Sequence, residues 1–158
     1  EMPGARLTAV DISDGALDVA SSQDFAQEMT QTGALTPKFL KADVLKDTLT
    51  NDGPGKYDII VSNPPYVMDS EKAMMRVNVL DHEPHLALFV PDDDALKFYK
   101  AIAGHASGLL KRGGFGVVEI NEALGPQTAE IFNQAGFSTE ILKDLYDKDR
   151  FVKFTAEI

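Results

Sequence analysis

The chain has 158 residues, no cysteine, and 25 acidic against 15 basic side chains, for a formal net charge of −10. That length suits one domain over residues 1–158 with a sizeable core, and the lack of cysteine excludes disulfides, thiolate catalysis and cysteine-ligated zinc. The acidic balance argues against direct nucleic-acid binding, since gripping a phosphate backbone wants clustered Lys and Arg. No apolar run approaches membrane-spanning length and no signal peptide is visible, which together with zero cysteine fits a cytoplasmic protein and no membrane partner.

Residues 1–4 read as a turn and residues 6–10 as a strand that ends at Asp11-Ile12-Ser13. Ser13 or Asp14 can cap a helix running to about Thr32, with Gly33 as its stop. An acidic residue at the end of a strand can accept both hydroxyls of a ribose, although Asp11 also suits a helix-start carboxylate favoured by the dipole. Residues 38–42 form the next strand, ending in Asp43-Val44, where Asp43 also reads as a solvated loop charge. Asn51-Asp52-Gly53-Pro54-Gly55 marks a plain loop.

Tyr57-Asp58-Ile59-Ile60-Val61-Ser62 is a short β-branched run that predicts a buried strand. At its carboxyl end stands a stiff, polar-tipped loop, Asn63-Pro64-Pro65-Tyr66, and in open α/β sheets that end is where ligands bind. The same residues also make an ordinary turn. Residues 67–93 form a long connection without clear periodicity, with one or two helical turns over residues 70–75 and a segment His82-Glu83-Pro84-His85. Connections of that length are commonly functional, though Met74, Met75, Leu86, Leu88 and Phe89 also read as core cover. His82, His85 and His105 make no metal motif, so no metal is expected.

Asp92-Asp93-Asp94 predicts a helix start, with the helix continuing to about Leu110 and burying Leu96, Tyr99, Ile102, Ala103, Ala106 and Leu110. Lys111-Arg112-Gly113-Gly114 reads as the turn from that helix into a strand over residues 115–120. Gly125-Pro126 opens a helix to about Ala135 that Gly136 stops. Residues 138–144 and 151–157 are strands joined by a turn around residues 146–149.

Asn63-Pro64-Pro65-Tyr66 after an apolar strand resembles the NPPY signature of S-adenosylmethionine-dependent amino methyltransferases. Within that group, Glu83-Pro84 followed by Ala87-Leu88 resembles the HemK/PrmC-type release factor glutamine methyltransferases, which act on the glutamine of the Gly-Gly-Gln loop of peptide-chain release factors. Leu110-Lys111-Arg112-Gly113-Gly114, the strand ending in Glu119-Ile120, and Asp149-Arg150-Phe151 are similar to that family as well. The resemblance implies an α/β fold: a Rossmann-like methyltransferase sheet, mostly parallel, with an antiparallel last strand. It implies S-adenosyl-L-methionine as cofactor, with Asp11 on the ribose, Ile12 packed on adenine, and Asp43 and Val44 meeting the adenine amino group and ring. It places Asn63 beside both cofactor and substrate, and gives Pro64, Pro65, Tyr66 and Glu83 to the substrate side.

The chemistry suits those residues. An amide NH2 is a poor nucleophile because its lone pair is delocalised, and its protons become acidic only as the methyl arrives. The site therefore needs two acceptors that hold both N–H bonds and aim the nitrogen, rather than a strong base. The Asn63 side-chain oxygen serves as one and the Pro64 carbonyl as the other, its direction fixed because Pro65 follows it. Neither proline has an N–H with which to join the sheet ladder. Tyr66 serves as a packing wall that excludes water.

The sequence has no G-x-G-x-G and begins where the family's second strand would begin. It is therefore expected to be a partial methyltransferase catalytic domain. Such a piece should have open sheet edges, a liability for aggregation or swapping, and should bind the cofactor weakly or not at all and be inactive alone. Two other functions stay open: an adenine amino methyltransferase acting on DNA or RNA, which would use the same acceptors on a flipped base, and a non-catalytic binding module of degenerate methyltransferase fold.

Overall fold

In the computed structural model, which describes residues 4–33, 35–49, 55–74 and 84–157, the chain divides into two compact units, residues 1–47 and 48–158. Residues 1–3, 51–54 and 75–83 lie outside the described residues, and with them most of the expected first turn, most of the 51–55 loop, and Met75, His82 and Glu83.

The first unit pairs β1 (Thr8–Asp11) with β2 (Lys38–Lys41) in parallel, in register from Thr8↔Lys38 to Asp11↔Lys41. The single helix expected between them is two, α1 (Asp14–Ser21) and α2 (Ala26–Thr32). Ser13 caps α1 by accepting the Ala16 N–H at 3.2 Å, and Gly33 stops α2 at φ +66°. The break has a local cause. The hydroxyls of Ser21 and Ser22 and the amide of Gln23 donate back to carbonyls of Asp18 and Val19, and Asp24 accepts the Ala26 N–H. Short polar side chains thus compete with the helical ladder and restart it.

The second unit is built on a four-stranded sheet of order β3-β6-β8-β7, from β3 (Tyr57–Ser62), β6 (Leu110–Glu119), β7 (Phe137–Lys143) and β8 (Asp149–Ala156). β3 and β6 run parallel, while β8 runs antiparallel to both β6 and β7. The chain is thus α/β with mostly parallel neighbours and an antiparallel last strand. Among the described residues β3 is an edge, none of its residues is buried and Val61 stays 76% exposed, so the strand forms as expected but is not the buried one its β-branched run predicts. After β3 come β4 (Val67–Met68), a 3₁₀ turn (Asp69–Met74), the short α3 (His85–Leu88) and β5 (Phe89–Val90), which pairs in parallel with β4. Two-residue strands carry no periodicity, which is why that pairing is invisible in the sequence.

Two expectations in this unit are corrected. Asp92–Asp94 forms its own 3₁₀ turn, with Asp92 accepting from Ser70, so helix α4 begins only at Lys97 and runs to Leu109. Leu110 already belongs to β6, and Lys111 to Gly114 are a bulge inside that strand, not a turn before it. The register jumps from Tyr57↔Leu110 to Ile59↔Phe115; Gly113 takes φ +75°, and a Cβ on Gly114 would lie 2.9 Å from the Asp58 carbonyl oxygen. Only glycine fits both places.

Helix α5 (Gly125–Gln134) and α4 supply the apolar faces of the core: Tyr99, Ile102, Ala103, Ala106, Ala129 and Phe132 are buried with Val118, Ile120, Val152 and Phe154 from the sheet side. Phe132 stacks on Phe154 at 4.1 Å between centroids, and Phe137 meets Phe154 edge-on at 5.2 Å. No helix among the described residues is long and apolar enough to cross a membrane.

Candidate active site

β3 delivers Asn63 to the carboxyl edge of the second unit's sheet, where Ser62 is still paired with Val118 of β6. The loop then divides by burial. Asn63 is exposed, Pro64 is buried, and Pro65 and Tyr66 are half-buried. Among the described residues the Asn63 side chain makes no hydrogen bond, so its amide oxygen is available as an acceptor. Proline after it restricts its backbone to the extended region.

The far side of the loop is tied down by polar groups from the end of β6. The Tyr66 hydroxyl donates to Glu119 Oε1 at 2.7 Å. Burial, and then the bond to the Glu119 carboxylate, push the Tyr66 phenol up to about 12, while the nearby Arg150 guanidinium pulls the other way. Arg150 is itself held by Asp144, its Nη2 and Nε lying 3.1 and 3.2 Å from Oδ2. Glu119 is anchored from below: the buried Tyr99 donates its hydroxyl to the Glu119 carbonyl at 2.9 Å, and burial holds that phenol well above its ordinary range. Asn121, only 7% exposed, donates to Glu71 Oε2 at 2.9 Å and to the Tyr66 carbonyl at 3.4 Å, and the same Glu71 oxygen accepts the Met68 N–H at 2.8 Å. Sequence reasoning did not single out Glu71, Tyr99, Glu119, Asn121 or Arg150 for the site. The one signal was that Glu119-Ile120 and Asp149-Arg150-Phe151 matched the family without an assigned role.

The four residues expected to meet a nucleoside lie together in the first unit, at the carboxyl ends of the paired strands β1 and β2. Asp11 accepts the Ser13 N–H on Oδ1 at 2.8 Å, which orients its carboxylate and leaves Oδ2 without a hydrogen bond among the described residues. Ile12 beside it is 43% exposed, an apolar surface fit to meet a flat ring. Asp43 is more committed: Oδ1 accepts the Leu45 N–H at 2.9 Å and Oδ2 pairs with Lys46 at 2.9 Å. The bond to Lys46 and then that to Leu45 lower its carboxyl below the ordinary range. Its own N–H is bound by Asp47 at 2.7 Å. Val44 is half-buried. Asp11 and Ile12 therefore fit a nucleoside as they stand, while Asp43 would have to share its carboxylate with an 80%-exposed lysine. An open groove in this unit, lined by Phe25, Met29, Thr36 and Phe39, includes neither aspartate. Glu83 lies outside the described residues, and no group of acidic and histidine residues among those described could hold a metal.

No protein-family model matches the chain. It is 40% identical, over 96% of its length, to a release factor glutamine methyltransferase of Flavobacterium psychrophilum, covering 50% of that protein. It is likewise 40% identical over 96% of its length to one of Bacteroides thetaiotaomicron, covering 52% of it. The chain thus spans about half the length of these relatives, and it resembles their carboxyl-terminal part. Among solved structures, a methyltransferase of Pyrococcus furiosus matches 97% of this chain and 64% of its own at 15% identity and a TM-score of 0.60. A release-factor-specific protein-(glutamine-N5) methyltransferase of Alicyclobacillus acidocaldarius matches 99% of this chain and 83% of its own at 19% identity and a TM-score of 0.51. The fold is the Rossmann-like fold of S-adenosylmethionine-dependent methyltransferases.

Proposed function

We propose that residues 1–158 are the NPPY-bearing part of the catalytic domain of a cytoplasmic release factor glutamine methyltransferase. Its reaction moves a methyl group from S-adenosylmethionine to the side-chain amide nitrogen of the glutamine in the Gly-Gly-Gln motif of a peptide-chain release factor. The observation that carries this reading is the Asn63-Pro64-Pro65-Tyr66 loop: an exposed amide oxygen at the tip of a parallel strand, on a loop stiffened by two prolines, with the following tyrosine fixed by Glu119. The 40% identity to enzymes of that name supports the choice of substrate.

The cofactor, when bound, supplies an electrophilic methyl group. Asp11 would hold the ribose hydroxyls through Oδ2 and Ile12 would cover the adenine, with Asp43 and Val44 meeting the base's amino group and ring. Asn63 Oδ1 and the Pro64 carbonyl would accept the two N–H groups of the glutamine amide and so orient its nitrogen for attack on the methyl group. Pro65 and the Tyr66 ring would wall the amide against water, and Glu83 would serve the substrate side. The rate comes from orientation rather than from a strong base. Asn63 and Pro64 hold the protons until the methylated nitrogen releases one to solvent.

The test is mass spectrometry of a release factor incubated with S-adenosylmethionine and either this chain or a version extended upstream. Gain of one methyl on the Gly-Gly-Gln glutamine is the expected result, with the extended version as the active one. Methyl transfer only to adenine in an RNA or DNA control, or to nothing at all, would overturn the proposal.

A further inference from the structure

We propose that Glu119 is a positioning residue for methyl transfer: its carboxylate, by accepting the Tyr66 hydroxyl, sets the plane of the Tyr66 ring and the line of the Asn63 and Pro64 acceptors. The inference rests on the reading of the loop given above and goes beyond it, to how the loop is aimed.

Pro64 and Pro65 have no N–H to offer the sheet, so the loop is defined by its two ends. Upstream, Ser62 sits on the β3–β6 ladder. Downstream, the Tyr66 hydroxyl donates to the Glu119 carboxylate at 2.7 Å, with the Arg150 guanidinium also close to the phenol, and a carboxylate acceptor makes a shorter and stronger bond than a neutral one. The Tyr66 carbonyl and the Met68 N–H are tied through Asn121 and Glu71, so ring and backbone have separate fastenings. Glu119 itself has a rigid base. It is paired across the sheet with Phe151, its carbonyl receives the fully buried Tyr99, and Ile120 after it donates to the Arg150 carbonyl at 3.0 Å. A half-buried carboxylate costs free energy unless it is paired or hydrogen-bonded, and here Glu119 accepts from Tyr66 with the Arg150 charge nearby. Glu119 does not touch the amide; it acts through Tyr66.

The experiment compares Glu119→Ala, Glu119→Gln, Tyr66→Phe and the double variant Glu119→Ala/Tyr66→Phe in the full-length enzyme with a release factor. Glu119→Ala should lower kcat roughly 10- to 100-fold, with the KM for S-adenosylmethionine changed only a few-fold. Glu119→Gln keeps an acceptor oxygen and should recover most of the loss. Tyr66→Phe should match Glu119→Ala, and the double variant should be no slower than the slower single one, because both remove the same bond. Full kcat in Glu119→Ala, or losses that multiply in the double variant, would overturn the inference. The ring-flip rate of Tyr66, followed by NMR without substrate, separates this from the proposed reaction. If the wild type methylates no release factor, the proposed reaction fails. Faster flipping in Glu119→Ala that is reversed in Glu119→Gln would still support Glu119 as the fastening of the ring, and an unchanged rate would overturn it.

Discussion

Replacing Gly116 by alanine is a test of the packing that carries β6 to the site. Gly116 lies directly opposite Phe154 across the β6–β8 ladder, and the phenylalanine ring covers it. A Cβ at Gly116 would sit 2.0 Å from the Phe154 Cζ and 2.5 and 2.7 Å from its two Cε atoms. Carbon atoms rest at about 3.5–4.0 Å, so the ring would have to withdraw by roughly 1.5 Å. It has nowhere to go, because Phe132 stacks on it at 4.1 Å, Phe137 meets it edge-on at 5.2 Å, and Phe132 and Phe154 are fully buried. Overpacking costs about 1–3 kcal/mol and a disturbed aromatic pair about 0.5–1.5 kcal/mol more, so Gly116→Ala should lose roughly 2–4 kcal/mol. Urea unfolding followed by circular dichroism reads this as a lower midpoint at unchanged slope. Phe154→Leu removes the opposing ring atoms, so adding Gly116→Ala to it should cost little further. A Gly116→Ala protein within about 0.5 kcal/mol of wild type would refute the reasoning.

Asn63→Ala in the full-length enzyme should abolish turnover while leaving cofactor affinity within a few-fold; near-normal turnover would remove Asn63 from the mechanism. Asp11→Ala should weaken S-adenosylmethionine binding about tenfold or more by calorimetry, and unchanged affinity would detach Asp11 from the ribose. The Tyr66 phenol, pushed up to about 12 by burial and Glu119, favours the fold in its protonated form. Its contribution to stability is therefore complete below pH ~10 and is lost as pH rises toward ~12. Urea midpoints at pH ~9 and ~11.5 should fall less in Tyr66→Phe than in wild type, part of the fall remaining because Tyr99 is raised as well.

What the sequence made legible was what is local. The β-branched run Ile59-Ile60-Val61 between Lys56 and Asn63 predicts β3 because strand propensity and turn residues agree there, and Gly125-Pro126 with Gly136 brackets α5 within a residue at either end. The loop at Asn63 is readable for the same reason, its stiffness written in adjacent prolines. The α1–α2 break escaped because it depends on where Ser21, Ser22 and Asp24 aim their side chains, which periodicity does not report. Gly113-Gly114 looked like a turn because a bulge asks for the same residues as one. The support of the site escaped for a different reason: Glu119 and Asn121 are 53 and 55 positions from Tyr66, and only the sheet brings them to it.

The strand order has a consequence for synthesis. β8 is the last of the described strands to leave the ribosome, yet it lies between β6 and β7. Until Phe151, Val152 and Phe154 are made, β6 has β3 as its only partner among the described strands and Gly116 does not face the Phe154 ring. The strand bearing Glu119 therefore cannot be completed while the chain is still growing through β7. A product that stops short at the hairpin would lack an interior strand, not a dispensable margin. Such a nascent chain would present an unfinished sheet, and cellular quality control should remove it rather than leave a slightly weaker enzyme.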